Sequence, residues 1–186
     1  MKVIITTNID PHFPFKEYCD LMFAVVPKED IMGIGEIRFV DSYSNPRTDR
    51  ESLGCYLRGT NGRNASIEIN IPNIIKEKIN EFNFARYPEV AASLLSHVVF
   101  HEVGHHVHTF KRHDVRKSKI ENFAEKYTAA CYYRYLSSRK TKILAEYRQG
   151  SWNILEMDKH GRASARKSRS DIQAWLEKNK EGVPFP

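Results

Sequence analysis

The stretch at residues 98–105 has the sequence Val-Val-Phe-His-Glu-Val-Gly-His, and it decides the fold that we expect. On a helix, His101 and His105 lie about 40° apart in azimuth and roughly 6 Å apart along the axis, so both imidazoles can reach one metal ion. Glu102 flanks that face without having to bind the metal. We therefore predict a helix that carries a metal site, with His101 and His105 as ligands.

The pattern H-E-x-x-H is typical of a zinc site. Zn²⁺ binds imidazole nitrogens at about 2.0–2.1 Å and lowers the pKa of a bound water towards 7. A neighbouring carboxylate can then take a proton from that water, so Glu102 is the predicted catalytic base. The alternative is a pair of core histidines satisfied by hydrogen bonds, although two imidazoles without partners are costly to bury.

The helix predicted around this motif begins near Pro88 and ends near Phe110. Proline suits the first turn of a helix, and residues 90–100 are apolar almost all round, which is typical of a buried helix. Gly104 costs the helix about 1 kcal/mol relative to alanine. A close approach of backbone or substrate at this position would explain the glycine.

A catalytic zinc ion needs a third protein ligand. Glu121 and Glu125 are spaced i, i+4 on the next predicted helix, and an antiparallel helix pair would bring that face beside the two histidines. His113 and Asp114, in the basic loop that precedes this helix, are further alternatives. Ser118 and Glu121 also fit a capping box, in which Glu121 would only close the helix start.

The motif H-E-x-x-H followed by a helix with E-x-x-A-(D/N/E)-x-(F/Y)-x-A resembles the gluzincin branch of the zincin metallopeptidases. The match consists of residues 101–105 with Glu121, Ala124, Glu125, Tyr127 and Ala129. It covers roughly residues 65–136. In scale the chain is similar to minimal gluzincins and to the small metallopeptidases that inactivate phage-type repressors.

This resemblance implies roles for both carboxylates of the second helix. Glu121 would be the third zinc ligand, and Glu125 would orient one of the metal-binding histidines. The family more often has Asp or Asn at position 125, and the spacing from His105 to Glu121 requires a tight loop. His108 and Lys111 occupy the positions at which the related metzincin motif requires Gly and His, so that motif is excluded.

Alternation between apolar and polar residues predicts a strand at residues 65–71. The resemblance implies that this is the edge strand bordering the substrate cleft. Its backbone could then bind an extended peptide by strand addition. The predicted substrate-binding positions are Ser66, Ile67, Glu68, Ile69 and Asn70.

Several other histidines and tyrosines accompany the motif. His97 and His108 share roughly the metal-facing side of the helix and could help to stabilise an oxyanion. More often such histidines are partly exposed helix residues. For Tyr132 and Tyr135, which continue the stripe of the second helix, we expect core packing.

Together with the remaining pattern of strands and helices, the resemblance implies an α+β fold of the zincin type, with a small twisted mixed sheet packed against an active-site helix and a second, ligand-bearing helix. Further strands are predicted at 2–7, 35–43 and 52–58, and further helices at 15–26, 74–82, 119–136 and 142–157. We expect residues 1–136 to form the zincin-like metallopeptidase domain and residues 137–186 to form a basic, mainly helical C-terminal extension.

Composition and charge indicate the cellular compartment and the classes of partner that we expect. The three cysteines form no C-x-x-C pair, the N-terminal apolar run is too short for a secretory signal, and no stretch is long enough to span a membrane. We therefore expect a cytoplasmic protein without a membrane partner. Of the net charge of +6, residues 137–186 carry +5, from 11 Lys and Arg against 6 Asp and Glu. This basic tail could contact nucleic acid, or it could be a solvated surface.

These patterns predict a zinc-dependent metallopeptidase that hydrolyses peptide bonds in a peptide or protein substrate. Glu102 would take the proton from the zinc-bound water and deliver it to the leaving amine. The alternative is a catalytically inactive zinc-binding regulatory protein that contacts nucleic acid through its basic tail.

Overall fold

The computed structural model describes residues 1–8, 12–46, 48–60, 62–78, 84, 86–111 and 117–153, with isolated positions at 170, 173–174 and 177–178. In this part of the chain the strands are β1 (Lys2–Ile5), β2 (Ile34–Val40), β3 (Gly54–Leu57) and β4 (Ala65–Asn70). The helices are α1 (Phe15–Phe23), α2 (Ile71–Lys78), α3 (Pro88–Lys111) and α4 (Lys117–Asn153), with a 3-10 helix at Lys28–Ile31. The prediction of a mixed α+β fold with a small mixed sheet is confirmed.

The sheet has the strand order β1-β2-β4-β3. β1 pairs with β2, and β2 with β4, in parallel, whereas β3 pairs with β4 antiparallel. Parallel neighbours require a crossover connection, and the segment that carries α1 connects β1 to β2. β4 continues directly into α2, and β3 is left at one edge of the sheet.

One face of the sheet is apolar and fully buried. Ile37 and Phe39 of β2 lie opposite Ile67 and Ile69 of β4, and all four side chains are at most 1% exposed. They join a core cluster to which α1 contributes Phe15 and Met22, and α3 contributes Leu95, Val99 and Val103. The alternation of β4 thus places its isoleucines in the core, as its sequence predicts.

The opposite face of β4 is polar but also buried. Glu68 is 1% exposed, and its Oε2 accepts a hydrogen bond from the backbone N–H of Ser44 at 2.9 Å. Asn70 is equally buried, and its Oδ1 accepts from the N–H of Asn73 at 3.0 Å. The segment between β2 and β3 therefore covers Glu68, whereas Asn70 lines a separate cavity of about 410 Å³ beside that segment.

Helices α3 and α4 form an antiparallel pair. Their contacts run in opposite order along the two helices: His108 packs on Phe123, and Phe100 packs on Tyr135. At the start of α3, the Arg139 guanidinium binds the Glu89 carboxylate through two hydrogen bonds. Such a bidentate ion pair fixes orientation as well as position. The antiparallel arrangement that the third-ligand hypothesis requires is therefore present.

Helix α4 is longer than the pattern predicts. The expected break between helices at 119–136 and 142–157 is wrong, because α4 runs continuously from Lys117 to Asn153. Ile143 and Leu144 are buried, and Glu146 accepts a hydrogen bond from the N–H of Val90 at 2.9 Å. The boundary predicted at residue 136 thus falls inside a helix that packs along α3. Most of the basic tail lies outside the described residues.

No helix in the described ranges has the length and apolar character needed to cross a membrane.

Candidate metal centre

Three side-chain donor atoms from α3 and α4 converge on one point. His101 Nε2 and His105 Nε2 lie 3.1 Å apart. Glu121 Oε2 lies 3.4 Å from His101 Nε2 and 3.7 Å from His105 Nε2. The Glu102 carboxylate is also close, since its nearest oxygen and both imidazole donors lie within 4.8 Å of one another. The helix motif and one carboxylate of the second helix therefore form a cluster.

The spacing of these donors fits a metal ion. In a tetrahedral site with metal–ligand distances of 2.0–2.1 Å, ligand atoms lie about 3.3–3.4 Å apart. The circle through the three donor atoms of His101, His105 and Glu121 has a radius of about 2.0 Å, calculated from their three separations. A point at the required distance from all three therefore exists without movement of any side chain. Two imidazoles and one carboxylate also form a donor set that zinc accepts.

The convergence depends on close packing of the two helices at Gly104. A Cβ built at Gly104 would lie 2.8 Å from Ala124 Cα and 3.1 Å from Ala124 O. Real Cβ atoms do not approach backbone this closely, so only glycine allows the contact. Gly104 precedes His105, and Ala124 lies one turn after Glu121. The glycine therefore brings the carboxylate of α4 within reach of both histidines.

Glu102 is held differently from His101, His105 and Glu121. It is 6% exposed, and the backbone N–H of Tyr56 in β3 donates a hydrogen bond to its carboxylate. Burial nevertheless raises the pKa of Glu102 to about 8, because the hydrogen bond offsets only part of the desolvation. A carboxylate with such a pKa can both accept and return a proton near neutral pH.

Strand β3 borders this cluster, and it contains the residues that sequence reasoning missed. A Cβ at Gly54 would lie 2.8 Å from Glu102 Oε1 and 2.8 Å from Val98 Cγ1. The backbone of β3 thus packs directly on the side chain of Glu102. The pattern around 52–58 predicts a strand there, and a glycine within a strand often marks such a close approach. Only the fold shows that the side chains closest to Gly54 are those of Glu102 and Val98.

The prediction that residues 66–70 form the edge strand is wrong. β4 pairs with β2 on one side and with β3 on the other, so the backbones of Ser66, Ile67, Glu68, Ile69 and Asn70 lie inside the sheet. The edge strand beside the cluster is β3. The alternation that identified β4 reports only which side chains face the core. It carries no information about the order of strands.

A cleft of about 600 Å³ opens in front of the donor atoms. It lies between β3 and the motif-bearing side of α3, and Glu121 closes it from α4. His97 is an exposed residue of this cleft, and its ring packs edge-on against Tyr132 at 5.4 Å. Burial and the neighbouring charge of His101 lower the pKa of His105, so its ring is neutral and able to bind a metal at neutral pH.

The other two histidines of α3 are structural. His106 Nε2 lies 2.9 Å from the carbonyl oxygen of Met32 and donates to it, which leaves Nδ1 to accept from the Tyr56 hydroxyl at 3.1 Å. This ring therefore ties β3 to α3. His108 is 3% exposed and packs edge-on against Phe123, away from the cleft residues. The expectation that His97 and His108 share one face of the site holds only for His97.

The alternatives to Glu121 as the third ligand are Glu125 in α4 and His113 or Asp114 in the segment that precedes it. Glu125 is exposed, and no hydrogen bond or ion pair joins it to either motif histidine in the described part of the chain. The role implied for Glu125 as an orienting group therefore has no contact to support it. α4 already includes Lys117, so Ser118 lies within the helix instead of at its N-cap. His113 and Asp114 lie outside the described residues. Of the two candidate carboxylates that the structure describes, Glu121 and Glu125, it is Glu121 that faces the histidines.

Comparison with known proteins gave no relative. No protein-family model matches the chain, and neither curated proteins nor solved structures yielded a match. Its function is therefore inferred from the residues and their geometry.

Proposed function

We propose that this chain is a zinc-dependent metallopeptidase of the zincin type. The observation that carries the proposal is the convergence of His101 Nε2, His105 Nε2 and Glu121 Oε2 at separations of 3.1–3.7 Å. These separations are close to those between the ligand atoms of one tetrahedral zinc ion, which supports the proposal.

The residues of the site divide into binding and proton-transfer roles. His101, His105 and Glu121 would hold the ion, and a bound zinc ion supplies a polarising charge for a substrate carbonyl and lowers the pKa of water. Glu102 is the proton acceptor, because its carboxylate is adjacent to the histidines but is fixed by the Tyr56 N–H. Its Oε atoms would take the proton from the attacking water and return it to the leaving amine.

The cleft also suits a peptide. Pairing alternates in an antiparallel ladder, and the N–H of Asn70 donates to Leu53 O, at the start of β3. The backbone groups of Gly54 and Tyr56 therefore point away from β4 and towards the cleft. The Tyr56 N–H is taken by Glu102. Of the other outward groups, the Gly54 carbonyl accepts from the Ser52 hydroxyl at 2.5 Å and the Tyr56 carbonyl accepts from Cys55 Sγ at 3.9 Å. The Gly54 N–H is therefore the group that an extended chain would bind first by strand addition.

Metal analysis of matched variants tests the proposal. Wild type, Glu121→Ala and Glu125→Ala are purified, loaded with zinc and dialysed, and zinc per chain is measured. We expect about one zinc in wild type and in Glu125→Ala, and a loss of at least about tenfold in affinity for Glu121→Ala, because a removed ligand leaves an open coordination site. Glu125 lies one turn away on the same helix and controls for effects of charge and helix stability.

Activity measurements distinguish a zinc site that catalyses hydrolysis from one that only binds the metal. Zinc-loaded wild type should hydrolyse peptides from a mixed library, and Glu102→Gln should keep the zinc and lose hydrolysis. Wild type that stays metal-free after loading would overturn the zinc site. Equal hydrolysis by Glu102→Gln would overturn the role of Glu102. A chain that binds zinc but cleaves no peptide would favour the regulatory alternative.

A further inference from the structure

We propose that Arg58 and Arg63 form a subsite that selects an acidic side chain of the peptide substrate. The proposal rests on the peptidase function above and names the substrate class of the same cleft. It concerns a second cavity, which adjoins the first and contains none of the metal-binding or proton-transfer residues.

The second cavity continues the cleft along β3. It has a volume of about 390 Å³ and shares Tyr56 and Thr109 with the main cleft as lining residues. Arg58 follows the last residue of β3, and Arg63 lies on the same connection to β4. A peptide paired with β3 would therefore extend from the donor atoms into this cavity.

Both arginines present a charge without a fixed partner. They are exposed, and neither is in an ion pair within the described residues. Arginine keeps its charge at any relevant pH and binds carboxylates through a planar fork of donors. Two such groups at one cavity provide a site for a carboxylate.

The connection that carries the arginines is sterically constrained. A Cβ at Gly59 would collide with the backbone oxygen of Arg63 and would lie 2.8 Å from Ala65 N. The N–H of Arg63 donates to Thr60 O at 3.0 Å. This close approach places the backbone of Arg63 against Gly59, the residue after Arg58, and both arginines line the same cavity.

The far wall of the cavity is apolar. Phe110 is 66% exposed, and a Cβ at Gly33 would lie only 3.2 Å from its ring. The lining of the main cleft instead includes the carboxylates of Asp49 and Glu121. The charged residues that line the second cavity are thus basic, whereas acidic residues line the main cleft. An acidic residue is therefore favoured in the second cavity, where the ring of Phe110 can cover its methylene groups.

Peptide binding and cleavage test this subsite. A series of fluorescently labelled peptides differs only in carrying Glu, Gln or Lys at one position, scanned along the sequence. Binding is measured by fluorescence anisotropy with zinc-loaded Glu102→Gln, and kcat/KM is measured with wild type. At one position we expect Glu to be preferred over Lys by about three- to tenfold, since exposed ion pairs each contribute up to about 1 kcal/mol.

Charge-reversal variants test whether the two arginines cause the preference, and one matched variant is the control. Arg58→Glu and Arg63→Glu should abolish or invert the preference at that position. Arg50→Glu makes the same change in net charge at an exposed residue that lines a different cavity, and it should retain the preference.

Three outcomes would overturn the subsite. The first is equal binding and cleavage of Glu and Lys peptides, which leaves the peptidase function intact. The second is an equal loss of preference in Arg50→Glu, which would indicate general attraction instead of a site. The third is displacement of the acidic peptide by a short single-stranded oligonucleotide at lower concentration than by unlabelled peptide, which would assign the arginines to phosphate. Failure of zinc-loaded wild type to cleave any peptide of the series or of the mixed library would instead remove the function on which the subsite rests.

Discussion

Gly104 of α3 lies against Ala124 of α4 so closely that a Cβ at position 104 would be 2.8 Å from Ala124 Cα. This contact sets the separation of the two helices at the point where one supplies two histidines and the other supplies Glu121. The glycine inside the motif is therefore explained by helix packing. A substrate need not approach it.

Gly104→Ala should weaken zinc binding and destabilise the fold. Alanine adds about 1 kcal/mol of helix propensity, but overpacking costs about 1–3 kcal/mol. The opposing atom belongs to the backbone and cannot rotate away. We therefore expect the cost of overpacking to exceed the gain in helix propensity, and Glu121 to move away from the histidines. Zinc affinity measured against a chelating dye should fall by about tenfold or more. Higher stability in urea with unchanged zinc affinity would show that the contact is not limiting.

Glu102 should make the metal-free protein less stable as pH rises. Burial raises its pKa to about 8 in the folded state from an ordinary value of 4.5. The folded state therefore binds more protons between these values. The stabilisation is complete below pH 4.5 and is lost as pH rises to 8. One pKa unit corresponds to about 1.4 kcal/mol, so the loss should amount to a few kcal/mol.

The comparison that isolates this effect is metal-free Glu102→Gln. Glutamine does not titrate and resembles the protonated acid in shape. In urea unfolding, wild type and variant should have similar stability near pH 4.5, and the variant should be more stable at pH 8. Parallel profiles across this range would show that Glu102 is not desolvated in solution.

Gly54→Ala should impair proton transfer without removing the metal. The added Cβ would collide with Glu102 Oε1 and Val98 Cγ1, both at 2.8 Å, and would displace the carboxylate from the Tyr56 N–H. Misplacement by about 1 Å can cost 10²-fold in rate, so kcat should fall by about 10- to 100-fold while zinc affinity stays within about twofold. Leu57→Ala, in the same strand, is the matched control. A normal kcat in Gly54→Ala would remove the positioning role of β3.

The ion pair between Glu89 and Arg139 should contribute strongly to stability. Their side chains are 9% and 13% exposed, and removing one partner of such a pair costs about 3–5 kcal/mol because the other charge stays buried. Glu89→Gln should show this loss in urea unfolding. Lys142, whose Nζ lies 4.0 Å from Glu89 Oε1 and which is 65% exposed, provides the control: Lys142→Ala should change stability by less than about 1 kcal/mol. Equal effects of the two variants would contradict the argument.

Local sequence pattern was sufficient to predict several residues of the candidate site. The i, i+4 spacing places His101 and His105 together on any helix, and the apolar stretch before them predicts that the helix is buried. The alternation of β4 likewise predicts which of its side chains face the core. These inferences succeed because helix and strand periodicity are properties of the backbone itself.

Local pattern was insufficient wherever two elements had to be brought together. The edge position of β3, the hydrogen bond from Tyr56 to Glu102 and the exposure of Glu125 all depend on strand order and helix packing. The continuity of α4 past residue 136 likewise depends on contacts of Glu89 and Val90 with residues 139–146. None of these relationships can be predicted from the periodicity of a single helix or strand.

The sequence by itself thus determined which groups the candidate site can contain: two histidines and a glutamate on a buried helix, with carboxylates on the helix that follows. Only the tertiary structure decided that Glu121 faces the histidines and that β3, not β4, borders the cleft. The physical reason is that a side-chain period fixes direction around one element, whereas the neighbour of that element is chosen by packing and pairing across the whole core.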